Sequence, residues 1–178
     1  MTAEPAGRRQ HETQLAALGV REVFLTQIDL RIHRSDAELL PPFLPIEPNT
    51  WVGGNGREYL WLGPDEWLML ANPDSGEPGR LIAELETLLS GMHHSIVDVS
   101  ASRAVIELAA PDRHDLLSSG CGLDLHHRAW RDGMCAQTLL ARVPVMLQER
   151  ARDTLVLVRP SFLDYLVDWF ADAAGLPQ

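Results

Sequence analysis

The sequence predicts an α+β fold made of two split β-α-β, ferredoxin-like lobes, with antiparallel sheets and amphipathic helices. Three observations predict it. Short apolar runs alternate with turn residues along the chain, as strands joined by tight turns do. Each half closes on the same unit, a hairpin followed by an amphipathic helix. The length of 178 residues suits one medium domain or two small lobes sharing a core, and is too short for two full domains. The expected organisation is a flexible N-terminal arm over residues 1–14, then a single α+β domain over 15–178 with lobes at about 15–94 and 95–178.

The elements follow in chain order. Glu12–Leu18 reads as a short helical piece. Ile28, Leu30 and Ile32 alternate with Asp29, Arg31 and His33, the period of a strand with one buried face. Val23 and Leu25 have the opposite parity, so one strand from Val23 to Ile32 needs a bulge near Thr26–Gln27. Pro41, Pro42, Pro45 and Pro48 exclude a helix or central strand and mark a crossing loop. Thr50–Val52, Glu58–Leu62 and Trp67–Leu70 form a three-stranded meander, turned at Gly53-Gly54-Asn55-Gly56 and at Gly63-Pro64-Asp65-Glu66. Leu81, Ile82, Leu85, Leu88 and Leu89 make the apolar stripe of a helix over Glu77–Ser90, stopped by Gly91. Ile96–Val99 and Ala104–Leu108 read as strands, and Asp112–Ser118 as a short helix opened by Pro111. Leu139–Leu147 and Thr154–Val158 read as a strand pair around the charged loop Gln148–Asp153. Ser161 is placed to cap a last helix whose inward stripe is Phe162, Leu163, Leu166, Val167 and Phe170.

Composition excludes whole classes of function. All 15 basic residues are Arg and none is Lys, which removes Schiff-base lysines, pyridoxal-phosphate chemistry and phosphate-binding P-loops. Against 25 acidic residues the net charge is −10, which argues against nucleic acid as a partner. Two cysteines do not make a disulfide scaffold. With no apolar signal segment near Met1 and no run of about 20 apolar residues, the expectation is a cytoplasmic protein without a membrane partner.

The candidate chemistry is sparse. Gly53–Gly56 lacks dinucleotide-loop spacing and no helix follows it, so it reads as a hairpin turn. Cys121, His126, His127 and Cys135 are four possible zinc ligands, but their spacing does not match paired ligand arms, and adjacent histidines on a strand face opposite ways. Cys121 with His114 or His126 as base has no third, orienting group in view. His93-His94, just after a helix-stopping glycine, suits a helix C-terminus. No paired acid and base carboxylates stand out. The expected catalytic, cofactor-binding and metal-binding residues are therefore none. Of the five tryptophans, Trp51, Trp61, Trp67 and Trp130 fall at strand ends or on loops, positions from which an indole can anchor a partner.

Ordered motifs add a resemblance. Ile96-Val97-Asp98-Val99-Ser100, then Ile106–Asp112 leading into Leu116-Leu117, looks like the opening of the folate-binding fold of aminomethyltransferases: a D-x-S strand start, a strand, a helix start and a leucine pair. Gly63–Leu68, Gly120–His126, Cys135–Arg142 and the Tyr165–Trp169 helix resemble the gamma-subunit family of heterotetrameric sarcosine oxidase, over about Leu15 to Ala174. The resemblance implies a non-catalytic subunit of a flavin-dependent complex that demethylates sarcosine oxidatively. The products are glycine, hydrogen peroxide, and formaldehyde or methylenetetrahydrofolate. It further implies alpha, beta and delta subunits as partners, with FAD, FMN, NAD and tetrahydrofolate held by those subunits and none by this chain alone. The gamma subunit would support the folate-binding part of the alpha subunit. Where the transferases carry acidic residues in the second hairpin, this chain has Val143-Pro144-Val145-Met146-Leu147, which weighs against the alternative of a stand-alone folate-binding or one-carbon-transfer protein.

Overall fold

A computed structural model describes residue 16 and residues 19–40 and 44–175. The expected arm over residues 1–14, and the helical piece over Glu12–Leu18 apart from Ala16, lie outside the described residues. The elements in chain order are β1 (Val20–Val23), β2 (Thr26–Ile32), β3 (Trp51–Gly54), β4 (Arg57–Gly63), β5 (Glu66–Ala71), α1 (Pro78–Leu88), β6 (His94–Asp98) and β7 (Ala104–Leu108). Then come α2 (Arg113–Ser118), β8 (Cys135–Leu140), β9 (Val143–Glu149), β10 (Thr154–Val158) and α3 (Leu163–Ala173). They form two five-stranded sheets, ordered β3-β4-β5-β2-β6 and β1-β7-β10-β9-β8.

The chain divides into two units that differ from the expected lobes. One comprises Phe24–Arg103 with Gly133–Gln137; the other takes β1, Ala104–Asp132 and the chain from Thr138 onward. The run from Val23 to Ile32 is accordingly not one bulged strand. It breaks at Phe24-Leu25, and its two halves enter different sheets: β1 pairs with β7, while β2 pairs with β5 and β6. The parity change at Val23 and Leu25 is the trace of that break.

In the first unit β5, α1 and β6 make a split β-α-β, because β2 lies between β5 and β6 and is antiparallel to both. Ile28, Leu30 and Ile32 of β2 pack with Tyr59, Trp67 and Met69 of the meander and with Leu81, Leu85 and Leu89 along the helix. Leu88, expected in that stripe, is half exposed. Asn55 and Gly56 both have positive φ, 55° and 75°, the requirement of the two-residue hairpin turn whose twist matches the strands. At Arg34–Leu39 a 3-10 turn replaces the first crossover helix of a ferredoxin-like unit.

The second unit repeats the pattern with one substitution. β7, β9 and β10 take the places of β2, β4 and β5, and α3 follows β10 as α1 follows β5. The position on the far side of β7 is filled by β1, from the other end of the chain. Arg21 donates to Glu107 across the pair at 2.7 Å, which fixes its register. The stretch read as one strand, Leu139–Leu147, is a hairpin turning at Ala141 and Arg142, both at positive φ without glycine, 49° and 70°. α3 buries Leu163, Leu166, Val167 and Phe170, each contributing roughly 1.5–3 kcal/mol. Phe162, the last residue of the 3-10 turn Pro160–Phe162, occupies the cap position expected for Ser161.

Two of the four tryptophans expected at the surface are internal. Trp67 is 0% exposed and Trp130 is 3% exposed. Trp67 packs with Ile28, Leu30 and Tyr59 in the core of the first unit, and the indole N–H of Trp130 meets a buried carboxylate. Trp51 and Trp61 are half-buried.

Gly120 has a specific packing reason. A Cβ there would lie 2.5 Å from the Trp169 ring and 3.2 Å from the backbone nitrogen of Ala141. Gly120→Ala is expected to destabilise the fold by about 1–3 kcal/mol in urea denaturation, through overpacking. In the Trp169→Leu background the same substitution should cost measurably less, since the ring it meets is gone.

Candidate functional site

Glu149, at the end of β9, takes hydrogen bonds from four side chains of the second unit. Its residue is 2% exposed. Arg113 Nη2 donates to Oε1 at 2.7 Å and His114 Nε2 to the same oxygen at 2.9 Å. Trp130 Nε1 donates to Oε2 at 2.9 Å, and the Thr154 hydroxyl donates to it as well. Arg113 Nε also reaches Thr154 Oγ1 at 3.2 Å. One carboxylate thus ties α2, the loop before β8 and the β9–β10 hairpin together, and both of its oxygens are occupied. Such a group is an anchor, because a buried carboxylate is tolerable only when its lone pairs are taken. The sequence reading placed Glu149 in a charged loop. The signal that would have found it is the parity of Val143, Val145 and Leu147, which continues inward to Glu149.

The cysteines and histidines do not converge. Cys121 belongs to the second unit and lies 3.9 Å from Thr138 Oγ1. Cys135 belongs to the first unit, where its thiol donates to the Thr50 carbonyl at 3.2 Å and burial pushes its pKa up to about 12. It is a thiol, not a thiolate, at neutral pH. His126 and His127 lie on a turn rather than a strand, so their rings do not point apart but stand 4.1 Å centroid to centroid. Among the described residues no group of three or more His, Cys, Asp or Glu side chains could hold a metal ion.

Among the described residues, each unit has a cavity lined by such groups. In the first, about 530 Å³ is lined by Arg31, His33, Asp65, Glu66, His93 and His94, among others. Arg31 is committed to Glu66 at 2.8 Å and Asp29 at 3.3 Å. His94 Nε2 bonds Glu86 of α1 at 2.8 Å, and that hydrogen bond is the main reason its pKa is raised. The His33 ring nitrogen lies 2.8 Å from Ser35 Oγ and accepts from the Ser35 backbone, a local cap of the 3-10 turn. In the second unit about 400 Å³ is lined by His114, Asp115, Asp124, His126 and His127 with smaller residues. His114 there is held by Glu149.

The D-x-S segment is also used internally. The Ser100 hydroxyl and backbone both donate to Asp98 Oδ1, at 2.6 and 2.9 Å, and hold the Asp98 carboxyl below its ordinary pKa. Ser100 Oγ accepts from the Gln27 backbone at 3.0 Å, and Gln27 Nε2 donates to the Arg103 carbonyl at 2.8 Å. Of the indoles, Trp67 Nε1 donates to the Pro45 carbonyl at 2.8 Å, while Trp61 stands opposite Trp67 across the β4–β5 pair. Among the described residues no helix is long and apolar enough to cross a membrane.

Comparison with known proteins gives a consistent result. Residues 40–175 match the sarcosine oxidase, gamma subunit family. The chain is 36% identical over 166 residues to the sarcosine oxidase subunit gamma of Arthrobacter sp., covering 88% of this chain and 80% of that one. It is 33% identical over 180 residues to the subunit gamma of Corynebacterium sp. strain U-96, covering 96% and 82%. The fold superposes on a chain of the heterotetrameric sarcosine oxidase from Corynebacterium sp. U-96, solved in complex with pyrrole 2-carboxylate, with TM-score 0.77, 30% identity and 93% of each chain covered. It also resembles the glycine cleavage system aminomethyltransferase T from Bartonella henselae, with TM-score 0.66 and 12% identity, over 94% of this chain and 50% of that one. The second likeness shows a shared fold.

Two outcomes follow from the geometry. Glu149→Ala should cost about 3 kcal/mol in chemical denaturation, by leaving the partly buried Arg113 and the buried Trp130 N–H without their acceptor, and Glu149→Gln should cost less because it keeps one oxygen in place. His94 should titrate above the ordinary 6.5 by NMR, and Glu86→Gln should return it toward that value. Because the folded pKa is the higher one, the stabilisation from this pair is complete below the unfolded value and is lost as pH rises through the folded one.

Proposed function

We propose that this chain, which belongs to the sarcosine oxidase gamma subunit family, is the gamma subunit of a heterotetrameric sarcosine oxidase and contributes no catalytic residue to it. The observation that carries the reading is the superposition on a chain of such an oxidase over 93% of both chains. The reaction is the oxidative demethylation of sarcosine to glycine, with hydrogen peroxide and formaldehyde or methylenetetrahydrofolate. Its FAD, FMN, NAD and tetrahydrofolate are held by the alpha, beta and delta subunits. This chain supports the folate-binding part of the alpha subunit, and the complex is cytoplasmic.

The polar chemistry of the chain favours a structural role. Several groups that could act on a substrate are engaged internally: Glu149 by four donors, Arg31 by Glu66 and Asp29, His94 by Glu86, and Cys135 by a carbonyl. For a partner the chain offers aromatic surface. Trp51 and Trp61, half-buried on neighbouring strands, are the interface anchors of this proposal.

The shared fold with an aminomethyltransferase supports a second reading, a stand-alone folate-binding or one-carbon-transfer protein. Calorimetry with tetrahydrofolate separates the two: the isolated chain should give no binding heat, and saturable binding would favour the second reading. Expressed alone, the chain should purify colourless; expressed with the alpha, beta and delta subunits, it should be taken up into the assembly. Trp51→Ala with Trp61→Ala should weaken that uptake by about 2 kcal/mol or more. A stoichiometric flavin on the isolated chain, or no uptake by the other subunits, would overturn the reading.

A further inference from the structure

Of the four edge strands of the two sheets, β3 and β8 are covered at their ends and β1 is short and charged. On β3, the outward Trp51 backbone nitrogen donates to the Gly133 carbonyl at 2.9 Å, and Thr50 bridges to Met134. On β8, Leu140 bridges to Cys121 at one end, and the Cys135 nitrogen donates to the Asn49 carbonyl at 2.9 Å at the other. β1 is four residues long and carries the exposed charges of Arg21 and Glu22, which resist pairing with a further strand. The fourth edge, β6, has no such cover among the described residues, and the exposed charge it carries is Asp98.

The parity of β6 shows which groups it offers. The Val99 nitrogen donates to the Gln27 carbonyl at 2.9 Å, and with the register Asp29 to Val97 and Arg31 to Ser95 this places the backbone bonds of Ser95, Val97 and Val99 on β2. The N–H and C=O groups of His94, Ile96 and Asp98 therefore point away from the sheet. Among the described residues none of these six groups has a backbone partner. The strand His94-Ser95-Ile96-Val97-Asp98 contains no Lys, Arg or Pro, and its Val97 is 49% exposed. A row of open backbone groups beside an exposed valine is a template for one more strand.

We propose that the outer edge of β6 is a docking edge on which an extended segment of another subunit adds as a sixth strand, with an apolar residue against Val97 and a basic residue near Asp98. The proposal rests on the reading of this chain as an oxidase subunit. The occupant is a different chain rather than a second copy, because two copies would each bring a net charge of −10 and an exposed Asp98 to the contact. A basic segment of a partner is attracted by the same charges.

Hydrogen exchange with single-residue fragmentation tests this on the free full chain and on the assembled oxidase. In the free chain the amides of Ile96 and Asp98 should exchange fast, and those of Val97 and Val99, bonded to β2, slowly. In the assembly Ile96 and Asp98 should slow at least 100-fold. Ile96→Pro removes an outward donor without touching the inner ladder, and Val97→Lys adds a charge to the exposed position with the backbone intact. Either variant, shown by circular dichroism to be folded, should be taken up at least 10-fold more weakly. An assembled oxidase in which Ile96 and Asp98 exchange as fast as in the free chain would overturn the docking edge and leave the subunit reading standing. Failure of the unmodified chain to assemble would overturn both. Protection of these amides in the free chain that grows with its concentration would assign the edge to a second copy and overturn the proposal.

Discussion

Backbone N–H and C=O groups that leave water have to be paired, and in this chain the pairing of β7 is the requirement from which the topology follows. Every residue of β7 has a register partner on β10. Four of the five have a second partner on β1, a strand separated from β7 by the whole first unit. Had β1 continued into β2, the sheet of the second unit would end on an open β7. The break at Phe24-Leu25, where Phe24 is left 80% exposed, is the cost of closing it. The same demand accounts for Gly133–Gln137, a short segment between the two long stretches of the second unit, which covers the β3 edge of the first.

Glu149 plays the corresponding part for side chains. Short helices such as α2, six residues long, are not stable by propensity, since nucleating a helix costs more than a turn or two returns. α2 is held because Arg113 and His114 reach a carboxylate that must be satisfied, and because Leu117 is buried. The smaller network of Arg57, Arg80 and Glu84 does the same for α1, with Arg57 also against the buried Tyr59 hydroxyl, whose pKa burial raises. In both networks polar chemistry holds secondary-structure elements in place.

How much of the site was legible depends on the kind of signal. Motif order across the chain was enough to indicate the family, because the resemblance needs only residue identity. The tryptophans show the limit. Trp61 and Trp67 flank the same turn and look equivalent in sequence, yet only Trp67 is fully buried, packed in one cluster with Ile28 and Leu30, while Trp61 opposite it is half-buried. A carboxylate beside Arg150 and Arg152 looks like a solvated loop until the parity of Glu149 is counted with Val145 and Leu147.

The sequence by itself determined the local elements: the β3–β4–β5 meander, α1 and α3 with their inward stripes, the type of turn at Asn55-Gly56, and the absence of lysine chemistry. These depend on periodicity and on residue-level conformational preference, which act over a few residues. Only the tertiary structure decided which sheet each strand joined, that β1 and β2 part company, that Leu139–Leu147 folds back at Ala141-Arg142, and that β6 keeps a bare edge. Strand partners are chosen by hydrogen-bond closure and shared burial between segments far apart in the chain. An isolated strand carries the same pattern whichever partner it meets.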